Sequence, residues 1–261
     1  MAKKFGTLFF LTVTLLFLSS CSGVESKKSD TQPGSAARDG GTYLDQPLTP
    51  KVLDAPLFDS EGNKFNFRSL KGKYVVLANF LTSCQEICPM TSVNIRDIGE
   101  AIQKGRAKNK IEALVLSIDS QRDQVPRLRA YKELFGDGNW KVASGSRASL
   151  DSIWKFFGAP AKQEFYSEKE LNEMPVDWQT GKPNLYDMIH VDMVLVIDPT
   201  GHWRWLNLGA PKTIKNKVPV KLEKFLSPDG LRNLTKPEEP SWSVKSVISA
   251  LNELSGSKLN A

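Results

Sequence analysis

Two cysteines four residues apart are the side chains of this sequence best suited to chemistry. Cys84 and Cys88 lie in the stretch TSCQEICP, and the 261-residue chain has one further cysteine, Cys21. A CxxxC pair can act as a reversible disulfide, as two thiolate ligands for a soft metal ion, or as two small buried side chains. A third ligand would distinguish a metal site from a redox pair, and the chain offers two histidines, His190 and His202.

The elements around the cysteine pair place it at the start of a helix. The apolar run YVVLANF, residues 74–80, predicts a strand that is covered on both faces. Pro89 fits the first turn of the helix that follows, which is predicted to end before Gly105. Free N–H groups and the helix dipole favour thiolates at such a position. Cα atoms four apart on a helix are about 6 Å apart, so both a disulfide and joint metal coordination are possible.

The two histidines have different predicted settings. His190 precedes the apolar run at residues 191–197, so we expect it at the start of a strand, at the rim of the sheet. From there its imidazole can reach over the CxxxC loop. His202 follows a turn at Gly201 and is predicted to be a solvent-facing strand residue. His190 is therefore the candidate ligand: a metal site requires it, whereas a redox pair does not.

The N-terminal segment predicts export and lipidation. Two lysines precede an apolar run at residues 5–18 that is short for a membrane span, which indicates a signal peptide over residues 1–20. The stretch LSSC that ends at Cys21 resembles a bacterial lipobox, whose cysteine becomes lipidated; ordinary signal cleavage is the alternative. Residues 21–50 are then predicted to be the lipidated cysteine and a flexible tether, because large apolar side chains are scarce there.

These features predict an extracytoplasmic protein that is lipid-anchored to a bacterial membrane, on the periplasmic side or the cell surface. Disulfides persist in such compartments. If Cys21 carries the lipid, Cys84 and Cys88 have only each other as disulfide partners. The formal net charge of +6 is dispersed along the chain, so we expect no nucleic-acid partner.

Residues 51–261 predict one α/β domain. The hydrophobic pattern gives a hairpin over APLFDSEGNKFNF, then strand, helix, strand, two helices, a second hairpin and a last helix. Strand–helix–strand units imply parallel pairing, and the second hairpin adds antiparallel strands. A mixed sheet flanked by helices results, and the thioredoxin-like architecture is one such fold. Residues 159–186 and 210–240 do not fit this order and are predicted to be surface insertions.

The predicted bounds follow from apolar runs and stop signals. Beyond the first strand and helix, we expect strands at 111–118, 191–197 and 202–208, and helices at 125–135, at 149–157 with Ser149 as N-cap, and at 243–254.

Taken together, these motifs resemble the Sco (SenC) family of copper-handling proteins, which are membrane-anchored thioredoxin-like domains with a CxxxCP motif and a distant histidine. Three stretches carry the resemblance: TSCQEICP, LSIDSQRDQVPRLRAYKELF (116–135) and HVDMVLVIDPTG, in which His190 stands eight residues before Asp198. The resemblance covers roughly residues 51–209 and the last helix.

The resemblance implies that Cys84, Cys88 and His190 bind one copper ion, as Cu(I) or Cu(II). It also implies that copper is delivered to the dinuclear copper site of cytochrome c oxidase subunit II, or that the cysteines of that subunit are reduced before loading. Another cuproprotein is the alternative client, and a thiol reductant is a further partner.

The chain departs from the family pattern at three positions. Gln85 stands where the family usually has proline, Ser120 replaces another common proline, and Ile189 stands in place of an aspartate before the histidine. A carboxylate that orients the imidazole is therefore expected from Asp187 or Asp192.

Two other functions remain open from the sequence. One is a thiol–disulfide oxidoreductase that uses Cys84 and Cys88 without metal, so enzymatic activity is left undecided. Peroxide reduction is a weaker variant, because Leu81 occupies the position three residues before the reactive cysteine where peroxiredoxins have Thr or Ser. The other is a structural or partner-binding lipoprotein.

Overall fold

The structure is a computed structural model that describes residues 40–173, 176–213 and 217–261. Cys21 and the signal peptide predicted at residues 1–20 lie outside the described residues. The strands are β1 (Thr42–Pro47), β2 (Leu57–Asp59), β3 (Lys64–Phe65), β4 (Tyr74–Phe80), β5 (Ile111–Ser117), β6 (Lys141–Gly145), β7 (Lys162–Phe165), β8 (Tyr186–Ile189), β9 (Met193–Ile197), β10 (His202–Leu208), β11 (Ala210–Lys212) and β12 (Ser241–Ser243).

The structure also has eight α-helices and one 3₁₀ helix within the described residues. They are α1 (Pro50–Leu53), α2 (Cys88–Lys104), α3 (Val125–Leu134), α4 (Arg147–Phe156), α5 (Glu168–Glu173), α6 (Val220–Glu223), α7 (Pro228–Asn233) and α8 (Val244–Ser255), and the 3₁₀ helix is Phe67–Leu70. Within the described ranges, no helix is both long enough and apolar enough to cross a membrane.

Eight strands form one mixed sheet in the order β1-β10-β9-β4-β5-β6-β2-β3. β4, β5 and β6 are parallel, while β9 runs antiparallel to β4 and β10 antiparallel to β9. α2 contacts β4 and β5 and packs against α8, and α3 and α4 contact β6. The sheet is therefore mixed and flanked by helices, as the sequence predicts.

Burial explains why the central strands were readable from the sequence. β4 lies in the middle of the sheet, and every residue of YVVLANF except Tyr74 is buried. β10 lies nearer the edge, and its sequence HWRWLNL alternates buried and partly exposed positions. A continuous apolar run and a period of two are the patterns expected for these two settings.

The helices that frame the candidate site begin and end close to their predicted limits. α2 begins at Cys88, carries Pro89 in its first turn and ends at the C-cap Gly105. The N-cap predicted at Ser149 for α4 is wrong. Ser146 has the extended backbone that an N-cap needs, and its hydroxyl accepts the N–H of Ser149.

The predicted tether is too long, because part of it forms strand β1. β1 pairs antiparallel with β10, from Thr42 opposite Leu206 to Pro47 opposite His202. An edge strand needs backbone hydrogen bonds rather than a continuous apolar run, so the polar sequence TYLDQP gave no strand signal. The chain then enters α1, whose Val52 is buried in the core.

The two predicted surface insertions also need correction. In the 210–240 segment, β11 pairs in parallel with β12, and several apolar side chains join the main core: Val218, Leu222, Phe225, Leu226 and Leu234. In the 159–186 segment, β7 pairs antiparallel with β8, which continues to Ile189, α5 lies between them in the sequence, and Asp177 and Trp178 are buried. Both segments are parts of the domain, because their buried side chains pack on it.

Candidate functional site

Three loops meet at one edge of the sheet. β4 leads into the CxxxC loop at residues 81–87, β5 leads into residues 118–124, and β9 begins just after His190. The carboxyl ends of β4 and β5 lie beside the start of the antiparallel β9, since Ala78 is paired with both Val115 and Val194. Binding sites of open α/β sheets commonly form at this edge.

The two cysteines are reduced and differ in exposure. Cys84 is half-buried, whereas Cys88 is completely buried at the start of α2. The N–H of Leu81 lies 3.4 Å from the Cys88 Sγ, and the N–H of Cys88 lies 3.4 Å from the Cys84 Sγ. Each sulfur therefore accepts a backbone hydrogen bond, and the one to Cys84 comes from the N–H of the first residue of α2, as the sequence position predicted.

Their surroundings move the two thiol pKa values in opposite directions. The hydrogen bond from the Cys88 thiol lowers the pKa of Cys84, against the opposing effect of burial. Burial, joined by the hydrogen bond to Cys84, raises the pKa of Cys88 well above its ordinary value. Cys84 is therefore the member of the pair that ionises first and that solvent reaches.

His190 is held in place by two hydrogen bonds. Its Nδ1 lies 2.7 Å from the Met188 carbonyl oxygen, and its Nε2 lies 2.9 Å from the Asp192 Oδ1. A carbonyl can only accept, so Nδ1 carries a proton. Burial lowers the pKa of His190, but the hydrogen bond and charge of Asp192 outweigh it and bring the pKa to about 9. Of the two carboxylates expected beside the imidazole, Asp192 is the one that contacts it.

Cys84 and His190 line the same cavity, which has a volume of about 210 Å³. Cys88 lies behind this cavity, in hydrogen-bond contact with Cys84. His202 is elsewhere: it lies on β10, where its Nδ1 is 2.6 Å from the Asp45 Oδ1 on β1. The structure thus brings together the three residues predicted to be ligands and leaves the other histidine out.

The donor atoms suit a soft metal ion, but they are not arranged around one point. Two sulfurs and one imidazole nitrogen form a ligand set that selects Cu(I) or Zn. Nevertheless, over residues 40–173, 176–213 and 217–261 no three His, Cys, Asp or Glu side chains converge closely enough to hold a metal. Both nitrogens of His190 are engaged by neighbours in the sequence, so metal binding requires Nε2 to leave Asp192.

The 210–240 segment supports the CxxxC loop directly. The N–H of Ser227 donates to the Gln85 carbonyl oxygen at 2.8 Å. Gly230, in α7, lies so close that a Cβ at this position would stand 2.2 Å from the same oxygen. A glycine is therefore required here by close approach.

Sequence reasoning missed the buried polar side chains that hold the loop. Thr82 accepts a hydrogen bond from Arg127 and donates one to Asp123, and all three are buried. The available signal was the charged run that includes Asp119, Arg122 and Asp123, directly after the apolar strand β5. Charges at the carboxyl end of a buried strand favour a role at that edge of the sheet.

Comparisons with known proteins agree with the fold. The model of the SCO1/SenC family matches residues 54–218. A protein of Stutzerimonas stutzeri, named "Putative copper-binding protein", is 26% identical over 132 residues, which are 48% of this chain and 64% of that protein. The match therefore spans slightly under two thirds of that relative's length.

Two solved structures are similar to this chain. The apo Sco1 protein of Thermus thermophilus is 18% identical with a TM-score of 0.50, covering 82% of this chain and 95% of that one. ScoI of Bradyrhizobium japonicum with copper bound is 22% identical with a TM-score of 0.48, covering 66% and 96%. The first of these likenesses confirms the predicted thioredoxin-like architecture.

Proposed function

This chain belongs to the SCO1/SenC family, and on that premise we propose that it is an extracytoplasmic copper metallochaperone. Its cargo is one copper ion, as Cu(I) or Cu(II), with Cys84, Cys88 and His190 as ligands. The observation that carries the proposal is that Cys84 and His190 line one cavity while Cys88 lies against Cys84. The name of the Stutzerimonas stutzeri relative adds support.

The chemistry of the three side chains is consistent with this cargo. Two thiolates and one imidazole suit trigonal Cu(I), and Cu(II) calls for an added oxygen ligand or water. Nδ1 keeps its proton and donates it to the Met188 carbonyl oxygen, so Nε2 is the nitrogen left to bind metal. Because Cys84 is half-exposed, thiolates of a partner can reach the site and replace the ligands one at a time.

The client and the location are part of the same proposal. Copper is delivered to the dinuclear site of cytochrome c oxidase subunit II or of another cuproprotein, or the cysteines of that client are reduced before loading. Support comes from family membership. Lipidation of Cys21, supported by the LSSC stretch, holds the domain on the outer side of a bacterial membrane.

Cu(I) titration of the reduced chain in detergent tests the copper site. A competing chelator reports affinity for the wild type, His190→Ala and His202→Ala. We expect one Cu(I) per wild-type chain, an affinity at least about tenfold lower in His190→Ala, and no change in His202→Ala, which is the matched control because its ring lies outside the cavity. Equal binding in all three proteins, or none in any, would overturn the proposal.

A second function is favoured by the asymmetry of the two thiols. Cys84 is half-buried with a lowered pKa, while Cys88 is fully buried with a raised pKa, as suits an attacking and a resolving cysteine. The Cys84 thiolate attacks a substrate disulfide and releases one substrate thiol. Cys88 then attacks the mixed disulfide, which releases the second substrate thiol and leaves Cys84 and Cys88 oxidised.

Reduction of insulin by the metal-free chain tests this second function. Cys84→Ser should abolish activity and His190→Ala should retain it if thiol exchange is the activity. Activity of the wild type no higher than that of Cys84→Ser would exclude the oxidoreductase function.

A further inference from the structure

Every polar group of Thr82, which lies two residues before Cys84, is hydrogen-bonded. Its N–H donates to Asp123 Oδ2 at 3.2 Å, and its hydroxyl donates to Asp123 Oδ1 at 2.5 Å. The same hydroxyl accepts from the Arg127 Nε at 2.5 Å. Its carbonyl accepts from the Trp178 Nε1 at 2.7 Å. One end of the CxxxC loop is thus fixed by four hydrogen bonds.

One of these four hydrogen bonds comes directly from the 159–186 segment, and a second comes from an arginine that the same segment holds. Trp178 belongs to this segment, and so does Asp177, whose carboxylate receives two hydrogen bonds from Arg127, at 2.5 and 3.1 Å. The Arg127 guanidinium also lies 5.1 Å from the Trp178 ring centre. Asp177 therefore aims the arginine that reaches Thr82, and Trp178 holds the Thr82 carbonyl.

The residues that make these contacts are buried, so the loss of one contact is costly. Thr82 is 1% exposed, and Asp177 and Trp178 are 5% and 8% exposed. In such a setting a lost partner leaves a polar group without compensation from water, which costs more than the bond itself contributes. We therefore expect the loss of one donor to shift the position of Thr82 as well as to lower the free energy of unfolding.

The loop depends on such outside contacts because its own sequence does not restrain it. Gln85, Glu86 and Ile87 separate the two cysteines, and none of them is proline. Cys88 is already fixed as the first residue of α2. Cys84 is not in the helix, so its sulfur is placed by the residues on either side of it. On the N-terminal side, the Cys84 N–H donates to the Leu81 carbonyl oxygen at 3.3 Å, and Thr82, one residue beyond Ser83, is the residue held by buried side chains.

We propose that Asp177 and Trp178 are positioning residues, which fix Thr82 and so set where the Cys84 sulfur lies at the cavity. These two residues thus hold the CxxxC loop from outside the loop. The inference rests on the function proposed above only in taking Cys84 as the group that binds or reacts. Its test can therefore be read in the metal-free chain.

The deciding experiment compares two tryptophan variants of the full chain in detergent. Trp178→Phe keeps the ring and removes the N–H that holds Thr82. Trp140→Phe is the matched control, because Trp140 is also buried but its Nε1 has no hydrogen-bond partner within the described residues. Iodoacetamide alkylation of metal-free protein is followed by mass spectrometry of the peptide that carries Cys84, and melting temperature is recorded for each variant.

We expect alkylation of Cys84 to become several-fold faster in Trp178→Phe and to stay at the wild-type rate in Trp140→Phe, because a half-buried thiol on a released loop is exposed more often. Cu(I) affinity should fall by about 10- to 100-fold in Trp178→Phe alone. If Trp178→Phe does not fold, Asp177→Asn takes its place, since it weakens the hold on Arg127 at nearly constant shape.

Different results would overturn the positioning role and the copper-chaperone function. An alkylation rate that is unchanged in Trp178→Phe and in Asp177→Asn, or that changes equally in the Trp140→Phe control, would overturn the positioning role. Faster alkylation together with no copper binding by the wild type would support the positioning role and reject the chaperone.

Discussion

His190 is held by two hydrogen bonds, one at each ring nitrogen, and each bond affects whether that nitrogen carries a proton. The Met188 carbonyl requires a proton on Nδ1, and the Asp192 carboxylate favours a second proton on Nε2. The imidazolium is therefore the form that this structure stabilises, which is why the pKa of His190 is about 9. Copper binding must remove the Nε2 proton, so acidification opposes it.

Replacing Asp192 by Asn should lower the stability of the protein, and the size of the loss should depend on pH. The pKa of His190 rises from an ordinary 6.5 to about 9 in the folded protein, so the stabilisation is complete below about pH 6.5 and is lost as the pH rises through about 9. Such a shift corresponds to about 3 kcal/mol. We expect the free energy of unfolding of Asp192→Asn to be lower by about this amount near pH 6, with a deficit that shrinks towards pH 10.

Denaturant titrations at several pH values would measure this difference. Asp45→Asn is the control, because it removes the carboxylate beside the other histidine, His202, in a pair where Asp45 is 61% exposed. Exposed pairs contribute little. A deficit of Asp192→Asn that is the same at every pH would contradict the assignment of the charge to His190.

At the residue scale, the sequence predicted the reactive atoms and missed what holds them. Cys84, Cys88 and His190 were identified from residue type, spacing and the family resemblance, and the structure gathers them at one edge of the sheet. The choice of Asp192 over Asp187 depends on the direction in which the loop turns. The four hydrogen bonds of Thr82 depend on partners 41 to 96 positions away in the sequence, which a one-dimensional pattern does not reveal.

At the element scale, the six-residue helix α7 supports the CxxxC loop. It stands directly behind the CxxxC loop, where Gly230 approaches the Gln85 carbonyl and Ser227 donates to it. The loop is thus held from both sides: Trp178 acts on the residue before the motif, and α7 acts on the residue after Cys84.

Gly230→Ala should push α7 away from the CxxxC loop. The added methyl group would stand 2.2 Å from the Gln85 carbonyl oxygen and 3.0 Å from the Leu226 side chain. Overpacking of this kind costs about 1–3 kcal/mol. We expect a matching loss in the free energy of unfolding, together with faster alkylation of Cys84.

Leu231→Ala on the same helix provides the comparison, since Leu231 is 48% exposed and should tolerate truncation. Urea denaturation and peptide mass spectrometry measure the two effects. A Gly230→Ala protein as stable as the wild type would show that α7 moves aside without strain.

Strands with long apolar runs could be predicted from the sequence, whereas strands that depend mainly on backbone pairing with a neighbour could not. β4 and β5 are continuous apolar strands in the middle of the sheet and were found within one residue of their limits. β6 was missed: its sequence KVASG has small side chains, and Gly145 is needed because a Cβ there would stand 2.9 Å from the Leu57 side chain. β1 was missed because its hydrogen bonds to β10 leave no apolar signature.

At the scale of the whole molecule, charge is unevenly distributed. The chain carries a formal net charge of +6, yet the cavity is lined by Glu86, Asp187 and Asp192, with no lysine or arginine among its lining residues. Burial raises the pKa of Glu86, and the charges of Asp187 and Asp229 raise it further. Three carboxylates outnumber the single imidazolium of His190, so the mouth of the site is negative in a protein that is positive as a whole.

Cationic reagents should reach Cys84 faster than anionic ones. We expect a trimethylammonium methanethiosulfonate to modify Cys84 faster than a sulfonate analogue at low ionic strength, and the ratio of the two rates to fall as salt is added. Asp187→Asn should lower the ratio. Asp137→Asn makes the same change of charge on a surface loop and should leave it unchanged; equal effects of the two variants would mean that net charge alone sets the rates.

The pairing of β1 with β10 limits how far the site can be from the anchor. Thr42 lies opposite Leu206, near the end of β10 that adjoins the start of β9, so Thr42 lies towards the edge of the sheet that carries Cys84 and His190. About twenty residues separate Thr42 from Cys21, and a fully extended chain of that length spans at most about 70 Å. With Cys21 lipidated as proposed, Thr42 would lie at most that far from the membrane, and a client would have to meet the site near that height.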